Sequence, residues 1–230
     1  MNILSDLLQL LFPPSCVCCG NRLVNGEKFV CLLCLSAIPK TDFHTKPDNR
    51  LEQLMAGRFP FVRMASFAVF VKDGSIQRMI HELKYNHKPE LGVFIGRLCA
   101  SSMQGSVFLR DIDCLVPVPL HPNREKKRGY NQSQKIAEGL SKETGIPVLA
   151  GNLVRVIDNV SQTKQSKYER WSNTEGIFAV RDNSLFGEKH ILLIDDIITT
   201  GSTLESCAKT ILKAENNAKI SVYSAGVVLE

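Results

Sequence analysis

Four apolar residues, Ile191 to Ile194, run without a break into Asp195 and Asp196, and the chain continues Ile197-Ile198-Thr199-Thr200-Gly201-Ser202-Thr203. A short apolar run of this kind predicts a strand buried on both faces, expected over Ile191 to Asp195. Such strands belong to parallel sheets covered by helices. Ligands in those sheets sit beyond the carboxyl ends of the strands, which is where the two carboxylates fall. The T-T-G-S-T turn adds consecutive backbone N–H groups and hydroxyls at the mouth of a helix expected from Thr203 to Glu215. A turn leading into a helix N-terminus suits a phosphate, and carboxylates beside it suit sugar hydroxyls or a bridging magnesium. The composite reads as a sugar phosphate cradle. It is not a nucleotide P-loop, because the Lys of G-x-x-x-x-G-K-[ST] is absent, and no G-x-G-x-x-G follows a strand.

The flanking segments support the same class. Strands are expected at Met64 to Val71, Cys114 to Leu120, Pro147 to Val156, Phe178 to Val180 and Lys219 to Leu229. Pro117 and Pro119 prevent full pairing at the end of the second. Helices are expected over Ser75 to Tyr85, with Ser75 as N-cap, after Pro89, and from Ser133 to Glu143 with a stop at Gly145. Alternation of this kind predicts a mostly parallel sheet flanked by helices on both faces.

Five of the eight cysteines fall between Cys16 and Cys34. Cys16/Cys19 and Cys31/Cys34 each enclose two residues, the spacing that aims two thiolates at one tetrahedral zinc. Four cysteines close the coordination shell, so this zinc is structural. Cys18 can stand in for Cys16 or Cys19 only by losing that spacing, and its role stays open. Cys99, Cys114 and Cys207 read as small core residues. The organisation expected is an N-terminal helix and zinc-ribbon-like module over residues 1–45, a connector over 46–63, and an α/β domain over 64–230.

The first segment carries an apolar stripe at Ile3, Leu4, Leu7, Leu8 and Leu11, read as an amphipathic helix packed on its own protein. It has neither the basic start nor the small-residue site of a signal peptide, and no run reaches transmembrane length, so a cytoplasmic protein is expected. With 230 residues, 44% hydrophobic content and a net charge of +5, the chain can bury one substantial core, and disordered or collagen-like classes are excluded. Arg124 to Arg128, R-E-K-K-R, supplies +3 of that charge in one basic loop, which suits an anionic ligand. His81, His87 and His121 are dispersed without ligand spacing. Tyr130 and Trp171 sit beside basic residues, where packing and base stacking are both open.

Ile191 to Thr203 resembles the phosphoribosyl diphosphate (PRPP) motif of type I phosphoribosyltransferases. The chain as a whole resembles the ComF family (competence protein F, GntX-like) in the paired cysteines, H-E-L-K-Y at His81 to Tyr85, V-P-V-P-L-H-P-N-R-E-K-K-R-G-Y-N-Q-S at Val116 to Ser133, T-K-Q-S-K-Y-E-R-W-S-N at Thr163 to Asn173, and the PRPP motif. The resemblance implies a type I phosphoribosyltransferase-like fold. It implies that Asp195 and Asp196 hold the ribose hydroxyls as the catalytic pair, and that Thr199, Thr200, Gly201, Ser202 and Thr203 hold the 5-phosphate. Arg124, Lys126, Lys127 and Arg128 would meet the diphosphate, and Lys164, Lys167 and Arg170 would belong to a flap closing over the reaction centre. The implied chemistry is a pentosyl transfer that displaces pyrophosphate with a nitrogen nucleophile, assisted by Mg2+. Glutamine-dependent ammonia transfer is not expected, since it needs an N-terminal cysteine nucleophile and this chain starts Met1-Asn2-Ile3. The alternative implied by the same family is a non-catalytic factor in DNA uptake that binds PRPP and single-stranded DNA or contacts competence proteins.

Overall fold

Nearly continuous burial along the strands, with successive residues facing opposite sides, builds a sheet with a core on each face. In the computed structural model, which describes residues 13–157 and 176–229, the strands are β1 (Met64–Val69), β2 (Cys114–Pro117), β3 (Leu153–Arg155), β4 (Phe178–Val180), β5 (His190–Ile198) and β6 (Lys219–Val227). The helices are α1 (Leu32–Ser36), α2 (Arg50–Met55), α3 (Ser75–Tyr85), α4 (Pro89–Ser102), α5 (Pro122–Arg128), α6 (Gln132–Thr144) and α7 (Ser202–Ala214). Four strands form an all-parallel sheet in the order β1-β6-β5-β2. Leu192 and Ile194 pack with Leu115, Tyr223 and Ala225 under α3, α4 and α6. Their neighbours Ile191 and Leu193 pack on the opposite face with Val116, Ile220 and Val222, against α2 and α7. The expected parallel sheet with helices on both faces is therefore present.

Helices α4 and α6 approach closely enough to need glycine at two positions. A Cβ added to Gly96 would stand 2.0 Å from the Ile136 carbonyl oxygen, and one added to Gly139 would stand 2.1 Å from that of Val93.

Several boundaries differ from expectation for identifiable reasons. Gly74, not Ser75, caps α3; Ser75 Oγ instead donates to the Cys34 carbonyl at 3.1 Å. The expected strand from Pro147 to Val156 divides in two: Val148 makes a single parallel bridge to Leu115, while β3 pairs antiparallel with β4 in a separate sheet. The basic segment is a helix rather than a loop. Pro122 opens α5 at its first turn and His121 Nδ1 accepts from Asn123 N at 3.3 Å, an N-terminal cap. β1 ends at Val69, whereas β5 runs past Asp195 to Ile198, because Ile198 is again buried and pairs with Val227 of β6.

The stretch from 46 to 63 holds α2. Asn49 caps that helix in a reciprocal box with Glu52, and Glu52 Oε1 accepts from Arg63 Nε at 2.8 Å and from Met64 N at 2.9 Å. These bonds fasten the stretch to β1. Cys16, Val30, Cys31 and Ile38 belong to the same buried cluster as Ile76 and Met79 of α3. The amphipathic stripe expected from Ile3 to Leu11 lies outside the described residues. Among the described residues no helix is long and apolar enough to cross a membrane.

Candidate functional site

The end of β2 opens the site. β2 stops at Pro117, with one further bond from Val118 N to the Ile194 carbonyl at 2.9 Å, while β5 continues for four more residues. Among the described residues, Asp195 and Asp196 consequently have β6 on one side and no strand on the other, and a cleft of about 300 Å³ forms there. Val118, Pro119 and Leu120 form one wall; Thr199 and Thr203 border another; Lys84, Ser133, Arg155 and both aspartates also line it. Asn131 holds that wall in place: its Nδ2 donates to the Val118 carbonyl at 2.9 Å while its Oδ1 caps α6 by accepting from Ser133 N at 3.0 Å.

The two carboxylates are buried and differently partnered. Asp195 Oδ1 accepts from Ser133 Oγ at 3.1 Å and from Asp196 N at 2.8 Å. Burial, followed by the adjacent Asp196 charge, pushes the Asp195 carboxyl up to about 7. Asp196 Oδ1 accepts from Ile197 N at 2.8 Å. Its Oδ2 lies 2.6 Å from Lys84 Nζ, yet among the described residues no donor points at it with hydrogen-bond geometry. The contact is an ion pair without a directed bond. A buried carboxylate oxygen in that condition suits a cation.

The turn after β5 is shaped by residues from α2 and the segment following it. Gly201 caps α7 with φ 75°, and a Cβ there would lie 2.4 Å from Met55 Sδ. Arg58 donates to the Thr200 carbonyl and to Met55 Sδ, and lies 3.6 Å from Glu205. Thr199 and Thr203 face the cleft, whereas Thr200 and Ser202 join their hydroxyls at 3.0 Å in the turn beside it. The donors expected for a phosphate are thus gathered at one N-terminus of a 13-residue helix.

The basic residues fall elsewhere. Arg124, Lys126 and Lys127 are exposed on α5 and do not line the cleft. Arg128 donates to Gln132 Oε1, and Gln132 does line it. Lys164, Lys167, Arg170 and Trp171 lie outside the described residues. Tyr130 is buried, its hydroxyl donating to the Leu83 carbonyl, so it packs rather than stacks on a base. Lys84, Ser133 and Arg155 were missed as site residues in the sequence. Lys84 lies within the H-E-L-K-Y segment at the last turn of α3, at the same end of the sheet as the acid pair.

At the other end of the chain the Sγ atoms of Cys16, Cys19, Cys31 and Cys34 all lie within 4.8 Å of one another. Cys16 Sγ accepts from Cys31 N at 3.3 Å and Cys18 N at 3.4 Å. Burial raises the Cys16 thiol, but the backbone donors of Cys31, Cys19 and Cys18 outweigh it and bring it down to about 6. Such a thiol is readily a thiolate ligand. Cys18 turns away, its Sγ 3.6 Å from the Ser75 carbonyl, and burial pushes it up to about 12. The four-cysteine cluster can bind a metal such as zinc, and Cys18 is not part of it.

The chain is 37% identical over 110 residues to competence protein ComFC of Bacillus subtilis, covering 48% of this chain and 42% of that protein. It is 37% identical over 103 residues to competence protein F of Haemophilus influenzae, covering 44% of each. It is 26% identical over 217 residues to the DNA utilization protein YhgH of Escherichia coli O157:H7, covering 89% of this chain and 93% of that one. The chain's homologues are competence and DNA-utilization proteins. The matches to the first two span less than half of either relative. No protein-family model matches. Among solved structures, glutamine PRPP amidotransferase from B. subtilis superposes with a TM-score of 0.43 at 18% identity, covering 63% of this chain and 30% of that one. Purine phosphoribosyltransferase from Pyrococcus horikoshii gives 0.32 at 11%, covering 60% and 82%. Overlaps this limited leave the fold assignment to the sheet itself.

Proposed function

We propose that the protein binds PRPP in the cleft at the carboxyl end of β5 and transfers its phosphoribosyl group to a nitrogen acceptor. The observation that carries this reading is the buried Asp195–Asp196 pair opening directly onto the Thr199 to Thr203 turn at the start of α7. In this reading the acids orient the ribose hydroxyls and the turn's N–H groups and hydroxyls hold the 5-phosphate. Asp196, with its unbonded Oδ2, is the residue suited to Mg2+, which when bound would neutralise the departing diphosphate. The acceptor nitrogen forms a bond to the anomeric carbon, the C–O bond to the diphosphate breaks with its electron pair, and the acceptor's proton passes to pyrophosphate or solvent. Arg128, reaching the cleft wall through Gln132, is the member of the basic segment best placed for the diphosphate. The flap charges Lys164, Lys167 and Arg170 would exclude water from this centre.

The test is titration calorimetry of PRPP with Mg2+ on the wild type and on Asp195→Asn with Asp196→Asn. Binding lost in the double variant supports the site. Pyrophosphate release across a panel of bases and amines then supports transfer; binding without release from any acceptor would leave a PRPP-binding protein and no enzyme.

A second reading is a PRPP- and single-stranded-DNA-binding factor in DNA uptake. It is favoured by the exposure of Lys126 and Lys127 away from the cleft and by the DNA-utilization homologues. A sequence-tolerant, salt-sensitive affinity for single strands that falls when both lysines become Gln would support it. Unchanged affinity would remove α5 from that role.

A further inference from the structure

We propose that Lys84 is a built-in counter-ion of the acid pair that a divalent cation must displace, so that the cleft takes a cation well only together with an anion that receives the lysine. The anion part of this inference rests on the PRPP reading; the displacement part stands on geometry alone. Asp196 is buried, its side chain 7% exposed, and its Oδ2 faces the Lys84 ammonium at 2.6 Å without a directed hydrogen bond. A cation approaching that oxygen therefore meets a like charge at contact distance, where repulsion is largest. Lys84 lies in the last turn of α3, and its side chain, 24% exposed, lines the cleft. Once displaced, the ammonium remains in a cleft bordered by Thr199 and Thr203. A phosphate or diphosphate there restores the pairing that the metal removed. Cation and anion then favour each other's binding by the same factor, because coupling is reciprocal. A fixed structural ion pair gives no such reciprocity.

The experiment measures Mn2+ binding to the full chain by the loss of the aqueous Mn2+ electron paramagnetic resonance signal, with and without inorganic pyrophosphate. Wild type is expected to bind Mn2+ alone weakly. Lys84→Met should bind it at least about tenfold more tightly, the effect of removing a like charge at contact, and pyrophosphate should then enhance Mn2+ binding far less than in wild type. Lys84→Arg, which keeps the charge, should behave as wild type, and adding Asp196→Asn to Lys84→Met should abolish the gain. Lys84→Gln is measured in parallel, and thermal melts identify any variant that does not fold. Equal or weaker Mn2+ binding by both neutral variants, or an unchanged pyrophosphate enhancement, overturns the proposal. If PRPP gives no heat with wild type while the Mn2+ gain holds, the PRPP reading fails and the counter-ion stands. If PRPP binds and the Mn2+ gain is missing, the reverse is true.

Discussion

Ser133 Oγ donates to Asp195 Oδ1 across 3.1 Å, which ties the first turn of α6 to the carboxylate of β5. The bond is buried, and α6 follows directly on the segment that carries α5. The Ser133 hydroxyl thereby joins the helix that follows the basic segment to the acid pair.

Ser133→Ala should therefore cost about 1 kcal/mol in stability, the usual net worth of a hydrogen bond, with more if Asp195 is left short of donors. Urea unfolding measures it. A variant equal to wild type would mean that water replaces the hydroxyl and the linkage is absent.

The pH dependence of Asp195 has a definite sign. Its folded value, raised by burial and Asp196 to about 7 against an ordinary 3.8, means the native state holds a proton the unfolded chain has already lost. That contribution to stability is complete below about 4 and disappears as pH rises towards 7. Asp195→Asn should hence gain on wild type by up to a few kcal/mol between pH 4 and pH 8. Parallel thermal melts across this range that never diverge would contradict the assignment.

Metal content separates the five clustered cysteines. Cys16→Ser, Cys19→Ser, Cys31→Ser and Cys34→Ser should each lose zinc, whereas Cys18→Ser should retain one equivalent by elemental analysis. Because Cys16, Cys31 and Val30 share a buried cluster with Ile76 and Met79, chelation should lower the melting temperature of the whole described chain in one transition. Two separate transitions would show an independent module.

Gly201→Ala should destabilise by roughly 1–3 kcal/mol, since it forces an alanine into a left-handed backbone, and Met55 Sδ leaves no space for the added carbon. Met55→Ala should therefore cost less stability in the Gly201→Ala background than in wild type. Equal costs in the two backgrounds would locate the damage in the backbone alone.

How much of this could be read from the sequence depends on whether the cause was local. The apolar run into the acid pair and the stop of α6 at Gly145 follow from local rules, and the structure places both as expected. The cysteine spacing does the same. The helical nature of α5 was also locally encoded, by Pro122 at its start, but the density of charge drew attention to its chemistry instead. Lys84 and Arg58 could not be found this way. Their relation to Asp196 and Thr200 spans more than a hundred residues of sequence and exists only once α3 and α2 dock on the sheet. The split of the segment from Pro147 to Val156 is likewise decided by partners: Leu115 takes one half and Phe178 to Val180 the other.

Strand β6 lies between β1 and β5, pairing Met64 with Val222 and Leu193 with the same valine. A chain emerging from the ribosome has β1 and β5 made before the strand that must separate them. Until β6 arrives, β5 can pair with β2 but its other edge is open, and β1 has no neighbour in this sheet. The aspartates are made before that strand, so one side of the acid pair stays open until β6 is in place.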